Sequence, residues 1–130
     1  MLSKREYFDK LIQSSLDGIF PSFNKELGGC FYRQSENPTC KERCAIGILI
    51  PDCFYCTGME NLAIQDLLNQ FPYLKKYINI ENISINDLSD IQICHDILAK
   101  IGWDHQKFVD SLLELCCFKE FREDINVKIS

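Results

Sequence analysis

A chain of 130 residues, 46% hydrophobic and 12% aromatic, is long and apolar enough to bury a core as one domain and is not of disordered composition. Its net charge of −5, from 14 basic and 19 acidic residues, is the wrong sign for displacing counterions from phosphates, so nucleic acid is excluded as a partner. No stretch approaches the roughly 20 apolar residues of a membrane span, so no membrane partner is expected.

Ser3, followed three residues later by Glu6, predicts a capped helix start. Tyr7, Phe8, Leu11, Ile12 and Leu16 then form one apolar stripe, and Asp17-Gly18 stops it. Residues 19–43 carry turn signals at Pro21, Gly28-Gly29 and Ser35–Thr39, with Cys30–Arg33 as a candidate short strand. The longest apolar run, Cys44–Ile50, ends at Pro51-Asp52 and is expected to be buried; its periodicity does not separate strand from short helix. A helix is predicted near Asn61–Phe71, ended or kinked by Pro72. The strongest helix signal follows, capped at Asn86 or Asp87 and closed by Gly102, with Leu88, Ile91, Cys94, His95, Leu98 and Ile101 on one face. Ile93 and Ile97 fall towards its polar face, where apolar residues mark a second contact. Asp104 caps a last helix, placed at about His105 to Phe121. The expected fold is mostly α: a small single-domain helical bundle over 1–121 with an irregular cysteine-rich segment and at most a minor two-stranded piece, then a polar tail at 122–130.

Eight cysteines with no Sec-type signal after Met1–Tyr7 point to free thiols in a soluble, cytoplasm-like reducing compartment. A protein exported by a specialised secretion system would carry no such mark, so that compartment can be a host cell. Cys40-x3-Cys44-x8-Cys53-x2-Cys56 places four soft ligands within 17 residues, which makes zinc the sharpest metal reading. The second pair has chelating spacing, but the middle gap is short for a zinc ribbon, and a thiol opening an apolar run is equally a packing residue. No metal site and no cofactor are expected. Nucleophilic chemistry would need a thiolate, a histidine and an orienting group. Cys94-His95-Asp96 resembles a triad in order only, because consecutive helical residues point about 100° apart and are not expected to converge. A long-range pairing of Cys30 or Cys44 with His95 stays open, but no catalytic residue is assigned.

From Glu81 to Cys116, seven acids oppose only Lys100 and Lys107, a distribution that suits a basic partner surface. The last helix carries Phe108, Val109, Leu112, Leu113, Leu115 and Cys116, with Phe118 and Phe121 beyond them, an apolar arc wider than one seam. A homodimer through that helix, helped by Ile93 and Ile97, would bury the surplus. The bland alternative is that flanking elements of the same chain bury both sides. Candidate partner-binding residues are therefore Ile93, Ile97, Asp96, Asp110, Glu114, Phe118 and Phe121.

Cys30-Phe31-Tyr32-Arg33, Cys44–Asp52, Tyr55, Met59-Glu60, His95-Asp96 and Trp103 together resemble a group of small bacterial and phage proteins. That group shares a cysteine-tyrosine-arginine turn, a C-A-x-G-x-L-I-P-D element and a Y-x-x-x-M-E segment. No activity comes with the resemblance, and it implies non-cysteine residues at the positions of Cys40, Cys53 and Cys56, which argues against zinc. As a whole, the Ile/Lys/Asn/Cys-rich helical chain is also similar to the metaeffector inhibitors of intracellular bacterial pathogens. That likeness implies a non-enzymatic helical protein that blocks a ubiquitin-directed transglutaminase or deamidase by covering its substrate-binding surface. The functional expectation is a protein-binding inhibitor, with a cysteine-dependent enzyme or a zinc-binding adaptor as the alternatives.

Overall fold

Ser3 caps the first helix, α1 (Lys4–Leu16): its hydroxyl accepts from Glu6 N–H while the Glu6 carboxylate accepts from Ser3 N–H. In the computed structural model, which describes residues 1–24, 29–33 and 42–123, the chain is mostly helical, as expected. Phe23–Asn24 (β1) and Gly29–Cys30 (β2) form the small antiparallel piece, with Phe23 opposite Cys30. Arg33 lies outside the strand expected at Cys30–Arg33 and instead bridges to Arg43. The expected turn at Ser35–Thr39, Gly28, the ligand candidate Cys40 and the tail beyond Glu123 lie outside the described residues.

The Cys44–Ile50 run is neither strand nor α-helix. It coils through a single 3-10 turn at Gly47–Leu49, with Cys44, Ala45, Ile46, Leu49 and Ile50 all buried. Gly47 explains the shape. A Cβ placed on it would lie 2.0 Å from the carbonyl oxygen of Tyr32, so only glycine lets this turn pack on that backbone. Tyr7 from α1 donates to the Ala45 carbonyl at 2.8 Å, tying the turn to the first helix.

α2 (Ile64–Gln70) is shorter than the pattern predicts, because Asn61 takes a left-handed conformation (φ 65°) and the helix starts after Ala63. α3 (Ile85–Ile101) is capped by Ser84, with Asp87 completing the capping box from its third position rather than acting as the cap itself. Gly102 (φ 123°) ends it. α4 (His105–Glu114) starts at Asp104 as predicted but is seven residues shorter at its far end than the sequence pattern implies. After Leu115 the chain turns, then makes a short 3-10 turn at Lys119–Phe121.

α4 packs against both α1 and α3, and its Phe108, Val109, Leu112 and Leu113 are buried inside the one chain. The turn after α4 carries Phe118 and Phe121 back onto Phe8 of α1, each with ring centroids 5.0 Å away. Phe118 is fully buried and so is not a surface residue; Phe121 is half-buried beneath the Arg5 guanidinium. The wide apolar arc thus serves an internal seam on each side.

Replacing Gly47 by alanine is expected to cost about 3 kcal/mol, because the new methyl meets backbone rather than a side chain that can swing away. Gly58→Ala, whose Cβ would make ordinary contacts at 3.8 Å or more, should stay within about 0.5 kcal/mol of the parent. Urea denaturation of the two variants checks both values.

Candidate interaction surface and the polar network beneath it

The irregular segment after β2 is held by one carboxylate. Glu60 accepts from Tyr32 N–H at 2.8 Å through one oxygen and from Arg33 N–H at 3.1 Å through the other. The Tyr55 hydroxyl donates to the second oxygen as well, and the Tyr32 hydroxyl donates to the Leu62 carbonyl. Tyr55 also lies under the Arg33 guanidinium, 5.0 Å from its centre. Arg33 is buried. It donates to the Ile50 carbonyl and pairs with Asp52 at 2.7 Å, and Arg43 reaches the same Asp52 oxygen at 3.7 Å. Tyr32 and Arg33, Ile50 and Asp52, and Tyr55 and Glu60, drawn from the three quoted elements, therefore meet in a single network. Its members position backbone: two of the three Glu60 contacts and the Ile50 contact are to main-chain groups.

A second network fixes α3. Gln92 accepts from Ile46 N–H at 3.2 Å and donates to Asp96 at 2.7 Å. His95 is fully buried, with Nε2 accepting from Ser22 N–H at 3.0 Å and Nδ1 against Asp96 at 2.9 Å. A backbone N–H can only donate, so Nε2 carries the lone pair and Nδ1 carries the proton donated to Asp96. Neighbouring helical side chains were not expected to converge, yet His95 and Asp96 do. The Asp96 carboxylate bends over the helix to meet the ring nitrogen nearest the backbone, and Gln92 one turn back holds it there.

Neither His95 nitrogen is left to activate a thiol, so the pairing of Cys44 with His95 is not formed. Cys44 is buried, and its sulfur accepts from Gly47 N–H at 3.3 Å. Burial pushes the Cys44 thiol up to about 12, so at neutral pH it is a neutral packing group rather than a thiolate. Of the four zinc candidates, Cys44 is buried, Cys53 exposed and Cys56 half-buried, while Cys40 lies outside the described residues, as does the side chain of the nucleophile candidate Cys30. Among the described residues, no three His, Cys, Asp or Glu side chains gather as metal ligands.

The surface above these networks is different in kind. Ile93, Ile97 and Ile101 are 52%, 54% and 72% exposed and stand four residues apart, forming an apolar ridge along α3. A cleft lies on each side. One, of about 240 Å³, is walled by Tyr32, Leu62, Ile64 and Ile93 and carries Glu60 and Asp96. The other, of about 370 Å³, lies between α3 and α4, walled by Ile97, Leu98 and Ile101, with Lys107, Asp110 and Glu114 on its polar side. Ile93, Ile97, Asp96, Asp110 and Glu114 are thereby brought to one surface, and Phe118 and Phe121 are not. The sequence pattern puts Ile101 on the buried face of α3, but four-residue steps from Ile93 and Ile97 carry it round to the outer ridge, away from the face of Leu88, Ile91, His95 and Leu98. Among the described residues no helix is long and apolar enough to cross a membrane. No protein-family model, curated protein or solved structure matches the chain.

Glu60→Gln replaces an oxygen that accepts from a main-chain N–H or Tyr55 with an amide that donates, and should lower stability by about 2 kcal/mol in urea. Alkali should also destabilise the fold. Burial raises Cys44 from 9.0 to about 12, and raises Tyr7 and Tyr32 too. The unfolded chain therefore loses these protons first, the thiol from about pH 9 and the phenols from about pH 10, and the stability present below that range is lost progressively as pH rises. The urea midpoint followed across that range should fall, and Cys44→Ser should flatten the fall.

Proposed function

We propose that this chain acts by binding another protein through the α3 ridge and its two flanking clefts, as a non-enzymatic inhibitor. The observation that carries the reading is the exposure of three large aliphatic side chains in register on one helix: single exposed apolar residues such as Leu16 and Tyr73 are ordinary, whereas a continuous exposed row is what an interface presents. The use of Cys44 and His95 in backbone-holding contacts supports a binding role over thiol chemistry. The target we propose follows the metaeffector likeness: a ubiquitin-directed transglutaminase or deamidase of a bacterial pathogen, inhibited by covering its substrate-binding surface.

Self-association through the last helix loses support, because the α4 arc and Phe118 are consumed within the chain. Any twofold contact would have to use the α3 ridge itself, and would compete with the target for it.

The test is inhibition of such an enzyme by the purified chain, with loss of ubiquitin modification as the readout. The paired change Ile93→Asp and Ile97→Asp should weaken inhibition about tenfold or more while leaving the circular dichroism spectrum and urea midpoint in place. Inhibition unchanged in the folded double variant would sink the ridge as the binding surface. No inhibition by the parent chain would sink the proposed target.

A further inference from the structure

The α3 ridge is apolar along its crest and acidic on both flanks, and this pattern specifies a partner. Four carboxylates and one ammonium line the two clefts: Glu60 and Asp96 on one side, Asp110, Glu114 and Lys107 on the other. Exposed Asp90 adds to the second side. The acids shape the local field. After burial, Asp90 is the next cause raising the half-buried Cys94 thiol to about 11, with Glu114 adding to it, and Cys94 lines the second cleft. Asp96 and Glu60 similarly add to burial in raising Cys44 and Tyr32, which line the first.

Resting on the protein-binding reading above, we infer that the occupant of this surface is a cationic amphipathic helix of a partner protein, its apolar seam laid on Ile93, Ile97 and Ile101 and its lysines or arginines reaching down into the two acidic clefts. A helix fits the ridge because its seam repeats every three to four residues, as the three isoleucines do, and carries cations symmetrically on either side of that seam. The clefts fit the cations because each has apolar walls for a methylene stem and carboxylates for the charged head. A second copy of this chain fits poorly, since a twofold contact across the ridge would set Asp96, Asp110 and Glu114 close to their own like charges.

The probes are two synthetic peptides of about 18 residues with the same leucine seam at helical spacing, one flanked by lysines and one by glutamates. Fluorescence anisotropy with the full chain should show the lysine peptide binding and the glutamate peptide not. Affinity for the lysine peptide should fall about tenfold or more with Ile97→Asp, and again with Asp110→Lys plus Glu114→Lys. It should also weaken as salt rises from about 50 to about 300 mM. All three variant positions are exposed, and circular dichroism checks that each protein is folded. The inference is overturned if neither peptide binds, if the glutamate peptide binds as well, or if Ile97→Asp leaves the lysine peptide unaffected. Light scattering above the 15.1 kDa monomer mass, restored to monomer by Ile97→Asp, would also overturn it by naming a second copy as the occupant. The two readings fail separately. Loss of enzyme inhibition in the isoleucine variants without peptide binding removes only the cationic helix. Peptide binding alongside inhibition that those variants leave intact removes only the ridge as the inhibitory surface.

Discussion

The contact on which the rest of the structure depends is the approach of Gly47 to the Tyr32 carbonyl, secured by the Glu60 carboxylate. Of the described residues between β2 and α2, 31–33 and 42–63, most lie outside any helix or strand, so their buried main-chain groups need individual partners. Tyr32 N–H and Arg33 N–H find Glu60, the Ile50 carbonyl finds Arg33, the Ala45 carbonyl finds Tyr7, and Ile46 N–H finds Gln92. Each partner comes from a different part of the chain. The Cys44–Ile50 run can then serve as the hub against which α1 and α3 are set, although it is itself neither α-helix nor strand.

The same accounting explains what happens to the reactive residue types. A buried histidine between a main-chain donor and a carboxylate is worth more as a joint than as a base, because both of its ring positions are already committed. Cys44 likewise receives a main-chain N–H in a site where ionisation would strip a charge of water. The arginines follow a related logic. Arg33 is buried with a tyrosine face, a carbonyl and Asp52 around it, so its charge is met from several directions.

The helices were legible because their signals are local. Ser3 and Glu6, Asp104, Gly102 and the apolar spacing of α3 each mark a boundary or face through neighbours within a turn. What was not legible depended on distance. Nothing near Glu60 in sequence shows that its partners lie 27 and 28 residues earlier, and nothing near Gly47 shows that the Tyr32 backbone will press on it. The end of α4 was misread for a related reason. Phe118 and Phe121 continue an apolar arc in projection, but the chain turns after Leu115 to stack them on Phe8. Of the candidate partner-binding residues, Ile93 and Ile97 could be found because an aliphatic pair on a polar face breaks the helical pattern. The clefts beside them could not, since each needs a second element, the 60–64 loop or α4, for its other wall.

These networks also bear on how the α3 ridge could bind. α3 is fastened from below by Gln92 to Ile46, by His95 to Ser22, and by the burial of Leu88, Ile91 and Leu98. Its outer isoleucines are β-branched and sit on a helix whose backbone is already fixed, so little side-chain or main-chain freedom remains to be lost on contact. Association costs rise with every group that must be ordered, and a ridge held in place before contact leaves more of its apolar burial as net affinity. Three isoleucines offer only a small apolar footprint, so affinity from burial alone would be modest. On the proposed reading the acidic flanks would matter most for which partner arrives and how fast, because complementary charge raises encounter rates and rejects acidic competitors more than it deepens the bound state. On that reading the division of labour would follow the chain: the segment around Cys44–Ile50 gives rigidity, the α3 crest would give contact, and the carboxylates beside it would give choice of partner.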